Sequence, residues 1–115
     1  MNGTPMRDLA VQFVVELDRV VNKIEGRSIF KNQLIRSGSS IGANIHEARY
    51  AQSNADFISK FEIALKECYE TEYWLEILLK VNAIPASEYH SLRNQCGVLR
   101  KKLIASILTV KSKNT

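Results

Sequence analysis

At 115 residues the chain has room for one domain and for a core that needs no disulfide or metal staple. It is 45% hydrophobic and 24% charged with only five Gly and two Pro, which favours a few long helices over many short strands. No apolar run approaches the ~18 residues of a membrane span, and Met1–Asp8 lacks the basic start and apolar block of a signal peptide, so a cytoplasmic location and no membrane partner are expected.

The formal net charge of +4 is unevenly spread. Residues 53 to 81 carry Asp56, Glu62, Glu67, Glu70, Glu72 and Glu76 against Lys60, Lys66 and Lys80. From residue 89 onward there is no acid, only Arg93, Arg100, Lys101, Lys102, Lys111 and Lys113. Such a tail suits an anionic partner such as RNA, or serves as a solvated helix face.

The first helix is predicted over about residues 5–25. Thr4 is a usable N-cap, with Pro5 at the first helical position. Leu9, Phe13, Leu17, Val20 and Ile24 make one apolar stripe, Val11 and Val15 lie opposite, and Gly26 ends the helix.

A second helix over 28–50, capped by Ser28, buries Phe30, Leu34, Ile41, Ile45 and Ala48. Gly38 and Gly42 lie one above the other on one flank of that stripe, and Ser37 and Asn44 on the other. Arg36, Ser40 and Glu47 run alongside as the rest of a polar seam. Each mid-helix glycine costs about 1 kcal/mol relative to alanine. A neighbouring helix that approaches too closely for a side chain is the simplest offset.

The third helix, about 54–81, is introduced by Ser53 with Asp56 three residues on, a capping-box pattern with Asp in place of Glu. Its stripe reads Phe57, Phe61, Leu65, Cys68, Leu75 and Leu79. Glu72 falls inside that stripe and needs partners, for which Arg36, Ser37 and Asn44 are the candidates. Ile63, Trp74, Ile77 and Val81 form a second apolar patch roughly opposite the stripe. It is a candidate contact with another chain, the alternative being a wide stripe wrapped around a large neighbour.

Pro85 breaks the pattern, and a fourth helix is predicted over about 86–111 with a near-heptad stripe of Tyr89, Leu92, Cys96, Leu99, Leu103, Ile107 and Val110. Arg93, Arg100 and Lys111 share one flank. With Lys101 and Lys102 they are the candidate nucleic-acid contacts. Residues 112–115 are polar and read as a frayed end. Four amphipathic helices with short connections make an all-α, up-down-up-down four-helix bundle.

No catalytic constellation stands out. His46 and His90 belong to no HxxxH or ExxH pattern, and Cys68 and Cys96 sit at apolar positions as buried thiols. Gly38-Ser39-Ser40-Ile41-Gly42 lacks the Lys-Ser/Thr of a phosphate loop, and no Gly-x-Ser-x-Gly elbow follows a strand. Neither an enzyme, a metal nor a cofactor is expected.

The run Ile35-Arg36-Ser37-Gly38-Ser39-Ser40-Ile41-Gly42-Ala43-Asn44-Ile45-His46-Glu47-Ala48 resembles the central helix of the four-helix-bundle family encoded by intervening sequences of 23S rRNA genes, often labelled a ribosomal protein. Asp56-Phe57-Ile58, Ile63-Ala64-Leu65-Lys66-Glu67 and Glu70-Thr71-Glu72-Tyr73-Trp74-Leu75 resemble its next helix. Accessory proteins of diversity-generating retroelements are similar. The resemblance covers nearly the whole chain and is specific over residues 34 to 79. It implies a homopentamer with a basic surface, nucleic-acid binding as in the retroelement relatives, and a reverse transcriptase partner only for a retroelement-linked member. It also implies structural roles for Arg36, Ser37, Ser40, Asn44, Glu47 and Glu72. His46 departs from the more usual Ala, and Ala48 replaces a common Gly. The functional expectation is a non-enzymatic RNA-binding oligomer, the alternative a protein-interaction or assembly module.

Overall fold

Short connections force each helix of this chain antiparallel to the one before it. The computed structural model describes residues 4–113, and the elements are α1 (Met6–Val21), α2 (Ser28–Ala48), α3 (Asn54–Lys80) and α4 (Ala86–Lys113). Each helix packs on its sequence neighbours and α1 closes against α4, so the fold is an up-down-up-down four-helix bundle, 49 × 30 × 19 Å. Among the described residues there is no strand, and no helix is long and apolar enough to cross a membrane. The first three residues and the last two, including part of the polar end, lie outside the described residues.

The core is built from Phe13 and Leu17 of α1, Leu34 and Ile41 of α2, Leu75 and Leu78 of α3, and Leu92, Leu99 and Leu103 of α4, all fully buried. Each such side chain contributes about 1.5–3 kcal/mol relative to leaving it exposed. The small residues of α2 are spent on α1. A methyl group at Gly38 would overlap the buried Leu17, and one at Gly42 would stand 3.1 Å from Ala10 Cβ.

Several helix ends differ from the sequence expectation. α1 stops at Val21 rather than near residue 25, and its N-cap position is Pro5, not Thr4. Lys23 and Ile24 donate to the Val20 and Val21 carbonyls as a tightening turn, and Gly26 (φ 68°) and Arg27 (φ 59°) then reverse the chain in left-handed conformation. Ile24 stays buried, which is why it continued the periodicity while belonging to the loop. Ser28 is the first residue of α2 rather than its cap; the cap position is Arg27, with no side-chain bond. α2 ends at Ala48, and Arg49 and Tyr50 form a turn. α4 continues through Ser112 and Lys113.

On α3 the buried sector is Phe61, Ala64, Cys68, Thr71, Glu72, Leu75 and Leu78, while Phe57, Leu65 and Leu79 are half-buried. The sector turns toward α2 because Ala64 and Thr71 are small enough for the two helices to approach closely. Asn82 (φ 60°) closes α3 as a left-handed C-terminal turn, with Ala83 N–H donating to the Leu78 carbonyl at 2.8 Å.

Candidate nucleic-acid interface

The polar seam on α2 is satisfied locally and by the near face of α3. Ser37, fully buried, donates to the Leu34 carbonyl at 3.2 Å and accepts from the equally buried Thr71 hydroxyl at 3.0 Å. Ser40 donates to the Arg36 carbonyl at 2.7 Å, and the Asn44 amide donates to the Ser40 carbonyl at 2.8 Å. Arg36 reaches across to Glu70 and Glu67, and Glu47 receives Lys60 at 3.0 Å. His46 accepts from Arg7 Nε at 3.1 Å, tying the end of α2 to α1.

Glu72 does not join this seam, contrary to the sequence expectation. Thr71 faces α2, and one residue further on, about 100° round the helix, Glu72 faces α4. There Arg100 Nε donates to its Oε2 at 2.9 Å, and Arg93 approaches its Oε1 at 3.4 Å. The hydrogen bond to Glu72 holds the Arg100 guanidinium above its ordinary pKa. One turn away on the same two helices, Cys96 Sγ lies 3.5 Å from the Cys68 carbonyl, and both thiols are free and buried.

The five candidate cations of α4 therefore separate. Arg93, Arg100 and Lys101 come together, with Asn94 and Val98, around a depression of about 450 Å³ whose floor is Gly97. Two guanidiniums face one carboxylate here, and Lys101 has no carboxylate partner among the described residues. Arg93 Nε has no acceptor among the described residues either. Lys102 is exposed but points about 100° away from Lys101 round the helix. Lys111 lies further along and pairs with Glu62 at 3.2 Å.

The patch Ile63, Trp74, Ile77 and Val81 is not one outer face. Trp74 stacks on Phe30 of α2 (centroids 6.1 Å apart) and donates to Glu70 at 3.1 Å. Ile77 and Val81 are half-buried, and only Ile63 is exposed. α2 runs along this flank of α3 and covers it. The more open apolar surface lies on α1, where Val11 and Val15 border a groove of about 240 Å³ against Gly42 and Ala43 of α2.

Sequence reasoning passed over Tyr69 and Tyr73, which stand exposed on α3, Tyr69 beside the cationic cluster and Tyr73 one turn further on. The available signal was their four-residue spacing on the flank away from the small-residue seam. Among the described residues no group of three or more His, Cys, Asp or Glu is placed to hold a metal ion.

The family model described as 23S rRNA-intervening sequence protein matches residues 6–105. No curated protein matches the chain. A crystal structure of a protein of unknown function from the S23 ribosomal protein family of Bacteroides thetaiotaomicron is 42% identical, with a TM-score of 0.85, covering 90% of this chain and 98% of that one. The match takes in α1 to α3 whole and most of α4, the small-residue seam included, and the chain belongs to the 23S rRNA-intervening sequence protein family.

Proposed function

We propose that this chain is a non-enzymatic, cytoplasmic, homopentameric bundle that binds RNA through phosphate contacts. The observation that carries the reading is the α4 cluster, where Arg93, Arg100 and Lys101 share one side of the helix with a single carboxylate among them. Repeating a chain of net charge +4 five times gives a formal charge of about +20, enough for strong attraction to a polyanion at low salt. Sequence preference is weak in this mode, because phosphates carry no base information.

The test is a salt titration of binding to a structured RNA. Affinity is expected to fall steeply as salt rises, and Lys101→Ala is expected to flatten the logarithmic slope by roughly 0.7–0.9 for each subunit whose Lys101 contacts a phosphate. No binding at low salt, or an affinity that barely changes between low and moderate salt, sinks the phosphate-contact reading.

A second reading is an assembly module whose basic surface only keeps it soluble. The exposed Val11 and Val15 beside the α1–α2 groove favour it. The same titration separates the two, since an assembly module has no salt-sensitive affinity for RNA.

A further inference from the structure

The α3–α4 face carries more than charge. Lys66, Tyr69, Tyr73, Glu76 and Lys80 follow one another on α3 at spacings of three, four, three and four residues, which puts two tyrosines, two lysines and a carboxylate in one exposed stripe. Tyr69 is 52% exposed and Tyr73 55%. Neither phenol hydroxyl has a hydrogen-bond partner among the described residues. The Arg100 guanidinium lies 5.9 Å from the centre of the Tyr69 ring, so the aromatic stripe and the cationic cluster of α4 are contiguous.

Both rings are steadied in place. Tyr73 meets Trp74 edge-on at 5.0 Å, and Trp74 is itself held by Phe30 and Glu70. Tyr69 is held by Arg100, which is anchored on Glu72. Two positioned aromatic rings beside three cations that share one carboxylate are the elements of a single-strand platform, in which bases stack and cations follow the backbone.

We propose that this face binds unpaired RNA, with bases stacked on Tyr69 and Tyr73 and a phosphate over Gly97 between Arg93, Arg100 and Lys101. The inference rests on the nucleic-acid role proposed above and names its substrate class. Gly97 matters because the missing side chain lets a phosphate approach the helix between the flanking cations; an added methyl would stand 3.5 Å from an Arg100 nitrogen. The two tyrosines are separated by about 6 Å along the helix axis. Bases within a stack rise only ~3.4 Å, so this spacing receives bases one at a time, from a strand that is not paired. A duplex offers no free base faces to these rings, and its deep major groove does not admit them.

The experiment compares a single-stranded RNA decamer with a duplex of the same length. The proteins are the wild type, Tyr69→Leu/Tyr73→Leu, Tyr69→Phe/Tyr73→Phe and Lys101→Glu, each checked for an unchanged melting temperature. The Leu double variant is expected to lose at least about tenfold in affinity for the single strand, with its salt slope unchanged and its duplex binding unaffected. The Phe double variant is expected to bind the single strand as the wild type does. If the Leu variant binds the single strand like the wild type while Lys101→Glu does not, the stacking platform is overturned and the phosphate reading stands. Equal binding of duplex and single strand by the wild type also overturns it. If the wild type binds neither RNA, both readings fall.

Discussion

Gly38 and Gly42 occupy the same flank of α2, yet a methyl group would meet different surroundings at each. At Gly38 it would overlap a terminal methyl of Leu17, which is fully buried in the core and must shift to admit it. Overpacking of that kind costs about 1–3 kcal/mol, and the gain in helix propensity returns only about 1. Gly38→Ala is therefore expected to lower the free energy of unfolding by up to about 2 kcal/mol. At Gly42 the added carbon meets Ala10 Cβ at 3.1 Å, a strain of a few tenths of an ångström that the propensity gain offsets, so Gly42→Ala is expected to be near neutral. Urea unfolding of the two variants checks both, and equal effects would show that α1 does not press on Gly38.

Cys96 supplies a pH dependence at the same scale. Its hydrogen bond with Cys68, and then its burial, push the Cys96 thiol well above its ordinary pKa. In the unfolded chain that thiol ionises near pH ~8.5 while the folded one keeps its proton. Its contribution to stability is thus complete below about pH 8.5 and is lost above it, by up to about 1.4 kcal/mol per pH unit. Cys96→Ala, though less stable throughout, is expected to lose less stability than the wild type between about pH 8 and about pH 9.5 in urea unfolding. An identical decline would assign the alkaline loss to other groups.

At the scale of the element, the cap of α3 was readable from local chemistry, whereas Thr4 and Ser28 do not cap α1 and α2. Ser53 caps α3 as its position implied, accepting from the Asp56 N–H at 3.0 Å. Asp56 answers by accepting from Gln52 N–H at 3.2 Å, one residue before the cap. The end of α1 was not readable, since a buried Ile24 in a turn has the same spacing as a buried Ile24 in a helix. The face of α3 was readable only to within about one residue. Period alone does not say whether the stripe centres on Leu65 and Leu79 or on Ala64 and Leu78; the close approach of α2 decides that. The misassigned partner of Glu72 has the same origin. α2 and α4 both flank α3, and a rotation of about 100° exchanges one for the other.

For the whole molecule the open question is assembly. Trp74 is a poor probe of it, because Trp74→Glu would break the stack on Phe30 and destabilise the monomer before any interface is tested. Val15 and Ile63, 65% and 41% exposed on different faces, are better ones. Light scattering at micromolar concentration is expected to show a wild-type oligomer and to show Val15→Glu weakening it, with monomer stability unchanged. A wild-type monomer overturns the assembly reading. Weakening by Ile63→Glu alone moves the contact from α1 to α3.

The motifs of α2 and α3 pointed to the family by resemblance, and by its own pattern the amino-acid sequence determined the helical class, the number and order of helices and the seam of small residues. Those follow from periodicity, caps and short connections, which act between residues close in the chain. The tertiary structure decided which helix each flank meets. It sent Glu72 to Arg93 and Arg100, took Trp74 into the α2–α3 seam, and left Arg93, Arg100 and Lys101 together beside the exposed Tyr69. These are contacts between residues far apart in sequence, fixed by the rotation of each helix about its own axis. That rotation is set by how closely neighbouring backbones approach, which small residues at Gly38, Gly42, Ala64 and Thr71 permit and no single helix encodes.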